Sequence, residues 1–257
     1  MNPPVAQSNR EYPSPGRQPR DARGVPSTIA GGMQGRLMKT LKVALVLSAL
    51  PFTAAAQDVV KVDSAHYKVL IDNAVVRVLK VTVSAGAKSP MHSHPDAMLV
   101  SLQDAKAQFT LPDGKTQDSV IGKETAVYTP ATTHASANVG TTPVDAILVE
   151  FKAKEPGSAT LPSERPGLKL NVLAEGPRAV AFKSTAAPDF HEDPGTTHDF
   201  DQIVISLGAN DMSLAVEGKP VVTKWQRGTA QFIGRGVKHE SKNTSGRPIE
   251  FVIVAIR

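Results

Sequence analysis

The sequence predicts an all-β protein in which one barrel-forming unit is written twice. Three observations carry this prediction. Strand-length runs rich in β-branched residues, separated by Gly, Pro, Asp and Asn, dominate the chain from residue 57 onward. A helical period is sustained nowhere in that stretch. The chain also matches itself at an offset of 105 residues: Met98–Leu102 (MLVSL) meets Ile203–Leu207 (IVISL), His134 meets His239, Asn138 meets Asn243 and Pro143 meets Pro248.

Taken in order, residues 1–32 are dense in Pro, Gly, Ser and Arg and too poor in apolar residues to offset the entropy of ordering. They are expected to be a disordered extension, or to precede the true start at Met33 or Met38. Residues 33–56 have the layout of a secretory signal: Lys39 and Lys42, the apolar run Val43–Leu50, Pro51, then Ala54–Ala56. Cleavage after Ala56 would give a mature chain beginning at Gln57, periplasmic or secreted, with no stable membrane insertion. An uncleaved anchor is the alternative, against which the apolar run is too short to span a bilayer.

This segmentation decides the charge argument. Residues 1–56 hold seven Lys/Arg and two Asp/Glu, which leaves 22 of each sign in the remainder. A neutral chain without a basic, aromatic-interleaved run is not expected to bind nucleic acid. The absence of cysteine excludes disulfides, thiolate ligands and thiol nucleophiles, so chemistry must rest on His, carboxylates, hydroxyls or a metal.

The first unit, residues 57–152, offers strands at 75–83, 97–102, 107–111, 125–129 and 144–151, with a hairpin turn at Leu111–Thr116 (LPDGKT). Residues 153–168, rich in Pro, Ser and charge, form the expected linker, and 169–257 the second unit. Barrels or sandwiches are the architectures this pattern allows.

Within the first unit, Pro90–Leu102 (PMHSHPDAMLVSL) places His92 and His94 one residue apart. On an extended strand both imidazoles project to one face, the arrangement a metal needs. A third ligand must come from another strand, and His134 is the candidate. Three neutral imidazoles suit Fe(II), Ni, Cu or Zn better than Mg or Ca, and leave coordination positions open. Asp96 shares their parity, but Pro95 disturbs the strand before it, so Asp96 is either a further ligand or a loop-capping group. The competing reading of all three histidines is that they are solvated or plug a barrel mouth.

Gly86, His92 and His94, followed by His134 and Asn138, resemble the two sequence motifs of the cupin superfamily. In the second unit Gly228, Gly236, His239 and Asn243 match the second motif's spacing, with Gly234 in place of its Pro. The resemblance implies two tandem cupin-type jelly-roll barrels. The chain departs from the motifs at Met98, which stands where the family's Glu ligand is expected, and at Ala105, which replaces a Gly. Cupin-like enzymes with three-histidine iron sites include dioxygenases, so the resemblance implies a divalent metal, Fe(II) favoured, with Ni, Cu, Zn or Mn open.

The second unit is degenerate. At the 105-residue offset His92 meets Thr197 and His94 meets Asp199, leaving His198 one residue out of register beside His239. A bulge could return His198 to the site, and Asp199, Asp201 or His191 could contribute there. The expected function is therefore a metal-binding bicupin acting on a small molecule, dioxygenase-type if catalytic. Met98, Phe109 and Tyr128 are candidate pocket residues, or else ordinary core. The alternative is a binding module without turnover. No catalytic side chain is assigned, and a homo-oligomer remains open.

Overall fold

The computed structural model describes residues 57–152, 157–222 and 224–257. The expected extension and signal segment, residues 1–56, and residues 153–156 of the expected linker lie outside the described residues. No helix among the described residues is long and apolar enough to cross a membrane.

After a single helical turn, α1 (Val59–Val62), whose N-cap Asp58 accepts from the Val60 amide, the chain is built from strands. The first series is β1 (Tyr67–Asp72), β2 (Val76–Val83), β3 (Lys88–His94), β4 (Ala97–Ser101), β5 (Ala105–Thr110), β6 (Thr116–Ile121), β7 (Ala126–Thr129), β8 (Thr132–Asn138) and β9 (Val144–Phe151). The second is β10 (Leu168–Glu175), β11 (Ala179–Ala186), β12 (Asp201–Ser206), β13 (Met212–Val216), β14 (Lys219–Val222), β15 (Ala230–Ile233), β16 (His239–Asn243) and β17 (Ile249–Ile256).

Each series forms two antiparallel sheets. The first gives β1-β2-β9-β4-β7 and β3-β8-β5-β6; the second gives β10-β11-β17-β12-β15 and β14-β13-β16. The five-stranded sheets correspond strand for strand. The smaller sheets correspond except that β3 has no strand counterpart, and only isolated bridges, His191 to Lys242 and Thr196 to His239, stand in its place.

Strands β9 and β17 are apolar on both faces because each five-stranded sheet is covered twice. One face closes its own barrel. The other meets the twin sheet in a shared core, where Val76, Val78, Ile147 and Val149 pack with Ala181, Ile203, Val252 and Val254. A Cβ at Gly176 would lie 2.2 Å from the Tyr128 ring, so the aromatic packs across this junction only because position 176 lacks a side chain.

This junction decides between two readings. Met98 is fully buried in the shared core, and Tyr128 packs against the same cluster, so both take the core alternative and not the pocket one. Neither lines the cavity of the first barrel. Strands β3 and β4 belong to different sheets, so the parity that Asp96 shares with the histidines does not carry across Pro95. Ala97 and Leu99, the neighbours of Met98 on either side, are the β4 residues that line the cavity.

Candidate metal centre

Strand β3 starts beyond the turn at Gly86, whose φ of 76° suits a residue without a Cβ. Asn138, on the neighbouring strand, fastens that turn: its Nδ2 donates to the carbonyls of Val83 (2.9 Å) and Thr142 (2.8 Å). Asn243 does the same in the second barrel, donating to Ala187 (2.9 Å) and Arg247 (2.7 Å). The motif Gly and Asn are thus scaffold, and the motif histidines are what they hold in place.

β3 pairs with β8 so that His92 faces His134, after a register shift between Ser89 and His92 that accommodates Pro90, a residue without an amide donor. The three rings converge. Centroids are 4.7 Å apart for His92–His94, 4.8 Å for His92–His134 and 5.5 Å for His94–His134. One nitrogen from each lies within 4.8 Å of the others.

The backs of two rings are held. His92 Nδ1 donates to the Pro90 carbonyl at 2.6 Å, which leaves Nε2 as the lone-pair nitrogen, buried and without any hydrogen-bond partner. A buried polar atom with no partner costs about 1–3 kcal/mol, so the site wants an electrophile there. His94 Nδ1 meets Glu150 Oε1 at 2.7 Å, while Glu150 Oε2 accepts from Arg77 Nε at 2.5 Å and Arg77 reaches Asp58 Oδ2 at 2.5 Å. A carboxylate behind a ligating imidazole fixes its tautomer and raises its basicity. Burial pushes His134 down to about 3, with the neighbouring His92 and His94 adding to the shift, and burial likewise lowers His92. In the metal-free protein both therefore stay neutral near pH 7, the form that ligates. The donor set fits a divalent transition metal.

Beside the triad lies a cavity of about 100 Å³, whose walls include Val81, Leu99, Phe109, Ile121 and Leu148. Phe109, expected as a pocket residue, is there, its ring 4.9 Å from His134. Asp96 is not a ligand in this geometry: it accepts from the Tyr128 hydroxyl and the Ala131 amide, both at 2.8 Å, which is the loop-capping role.

In the second barrel Glu192, His198 and His239 form the corresponding cluster. His239 pairs with Thr196 rather than Thr197, one residue earlier than the sequence offset implied, and this slip puts His198 where the first barrel has His94. His239 Nε2 is also buried and unpartnered. Glu192, however, is already engaged. Arg165 pairs with Oε1, Ser241 Oγ donates to Oε2 at 2.5 Å, and His198 and His239 stand at 3.4 and 3.7 Å. Burial opposes the charge, but the hydrogen bonds from His198 and Ser241 and the Arg165 charge prevail and hold the carboxyl at about 2. His191 is exposed beside Asp193, 3.6 Å away, and takes no part. Asp199 accepts from Thr160 and Asp201 from the Arg235 amide, both outside the cluster.

Four residues at the two clusters were missed from sequence: Glu150, Glu192, Arg165 and Tyr67, whose ring stands edge-on to His92 at 5.6 Å. Glu150 had a signal, since it is the one carboxylate near the end of the otherwise apolar run Ala146–Phe151, and its repeat partner is Ala255. Glu192 adjoins His191 in a stretch already suspected. Tyr67 and Arg165 had none, because each reaches its site through strand order and not through local pattern.

No family model and no curated protein matches the chain. Solved structures do. A cupin 2 conserved barrel domain protein from Leptotrichia buccalis aligns at 11% identity over 74% of this chain and 88% of its own, with a TM-score of 0.50. The formate complex of an oxalate decarboxylase from Lactobacillus farciminis aligns at 11% identity over 71% and 77%, TM-score 0.53. A salicylate 1,2-dioxygenase from Pseudoaminobacter salicylatoxidans, in adducts with gentisate, aligns at 9% over 72% and 70%, TM-score 0.53. The fold is the tandem cupin barrel. At such identities the likeness speaks for the fold alone.

Proposed function

We propose that the first barrel is a metal-dependent binding and reaction site for a small molecule, with His92, His94 and His134 as ligands. The observation that carries this reading is His92 Nε2, a lone-pair nitrogen buried without a partner at the meeting point of three imidazoles. Fe(II) is favoured, because an all-nitrogen neutral donor set with open positions suits it, and Ni, Cu, Zn and Mn are the competitors. When bound, the metal supplies Lewis acidity and, for iron, a route to dioxygen chemistry. The chain's own residues do the rest. Glu150 holds the His94 proton on Nδ1, Pro90 does so for His92, and the apolar walls exclude water.

The Lys39/Lys42, apolar and Ala54–Ala56 succession supports a periplasmic or secreted location. The test is metal analysis of the chain exported through its own signal and purified anaerobically. About one tightly held divalent metal per chain is expected, and dioxygen uptake with a bound small molecule separates the oxidoreductase from a module that only binds. A chain that takes up no divalent ion at neutral pH sinks the proposal.

A further inference from the structure

We propose that the cavity beside the triad selects uncharged molecules of about benzene size bearing one oxygen function, and discriminates against carboxylates. The inference rests on the reading of the first barrel as the binding barrel, but not on its metal content.

Size comes first. An engineered cavity of ~150 Å³ lined by Leu, Ile and Phe accepts benzene. The present cavity, about 100 Å³ and walled by the same kinds of residue, accommodates a ligand of that order and not an extended chain. Charge comes second. Among the described residues that line it there is no Lys, Arg, Asp or Glu. Arg77, which stands behind His94, is bound to both Glu150 and Asp58 and is not offered to the cavity. A carboxylate entering such a space exchanges its hydration for apolar walls and finds no cationic side chain to offset the loss. Ala97 and Leu99, the β4 residues at the cavity, add neither charge nor a hydrogen bond.

Polarity comes third. The polar lining consists of His94 and His134 with Tyr67, Ser136, Thr129, Thr132 and Asn138. The Tyr67 ring lies 6.0 Å from that of His94 and lines the cavity. Its phenol, a hydrogen-bond donor at neutral pH, can donate to one oxygen of a ligand seated against the triad. One acceptor-bearing end and one apolar body are what the lining recognises.

Phenol and benzoate share a ring and differ in charge at neutral pH, so they isolate the filter. Their binding would be measured by calorimetry on the metal-free chain and on the zinc-loaded chain. Phenol is expected to bind the metal-free chain at least ~10-fold more tightly than benzoate, a fold-change of about 1.4 kcal/mol, and a bound Zn²⁺, whose charge favours the carboxylate, should narrow that margin. Ala107→Leu, which fills the cavity, should cost phenol at least ~10-fold, and Ala107→Val serves where the larger side chain misfolds. Benzoate binding the metal-free chain as tightly as phenol, no phenol binding at all, or phenol binding that survives the filled cavity would each overturn the inference. A chain that prefers phenol but never takes up metal leaves this inference standing and removes the metal centre, whereas a chain that takes up metal but in its metal-free form prefers benzoate does the reverse.

Discussion

The two barrels share a five-stranded sheet strand for strand and part company at a single element. In the first, β3 runs seven residues along β8 and delivers two imidazoles to one face. In the second, the equivalent stretch makes only isolated bridges, keeps one imidazole in His198, and puts Thr196 opposite His239. The cations are placed differently too. In the first barrel Arg77 stands two steps behind the site, bonded to the carboxylate that orients His94. In the second, Arg165 sits directly on Glu192, the carboxylate that could itself have been a ligand. A duplicated scaffold thus accommodates either three converging imidazoles or a carboxylate held by an internal ion pair, although His239 Nε2 stays without a hydrogen-bond partner in the second.

The largest effect tests whether that difference is real. His92→Ala, His94→Ala and His134→Ala should each weaken metal binding by more than ~100-fold, since a direct ligand matters more than the outer partners, whose loss costs about 10–100-fold. His239→Ala should leave the tightly held metal in place. Metal analysis after dialysis distinguishes the cases. Equal losses in both barrels would erase the comparison.

Glu150→Gln comes next, because it removes the carboxylate behind His94 without touching a ligand. Metal affinity should fall about 10–100-fold, and the metal-free chain should lose ~3–5 kcal/mol as Arg77 is left short of a buried partner. Unchanged affinity with lowered stability would reduce Glu150 to a packing role.

How much of this was legible in sequence follows the range of the interactions. The all-β class, the doubling, the β5–β6 hairpin and the His92, His94 and His134 grouping are written in local pattern or in self-similarity, and they were read. Whether Met98 and Tyr128 face the pocket or the core could not be read, because the face of a strand depends on which sheet it joins, and the chain changes sheet at Pro95. His198 was left out of register because a one-residue slip in a loop is invisible to an offset that fits every strand around it. Arg165 was invisible because nothing near it in sequence predicts a partner 27 residues away.

pH should separate the barrels by a smaller margin. His134 is held at about 3 in the folded, metal-free chain, against about 6.5 when unfolded. Below pH ~6.5 the unfolded state therefore binds more protons. The stability is fully present above that value and is lost as pH falls, by about 2 kcal/mol near pH 5. Glu192, held at about 2 against an ordinary 4.5, contributes stability that is present above 4.5 and disappears only as pH falls from there towards 2. Thermal unfolding of the metal-free chain between pH 8 and pH 5 should thus decline more steeply for the wild type than for His134→Asn. Parallel declines would show that His134 is not the group in charge of that window.

The smallest effect expected is also the one that sharpens the comparison most. If the guanidinium is what shuts the second site, then Arg165→Ala should let Glu192, His198 and His239 accept a second divalent ion, detected as a weak additional equivalent in titration with zinc. The gain is small for three reasons visible in the geometry. Ser241 still donates to Glu192 Oε2, and among the described residues no carboxylate stands behind His198 as Glu150 does behind His94 and two imidazoles are available. The released Glu192 is buried, and a buried charge left without its partner costs several kcal/mol, so the variant has a thermodynamic reason to recruit a cation. Stability that recovers on adding zinc, by an amount that grows with its concentration, is the linked signature. If Arg165→Ala is merely destabilised and zinc neither binds nor restores it, the second barrel owes its inactivity to the missing strand and not to the arginine.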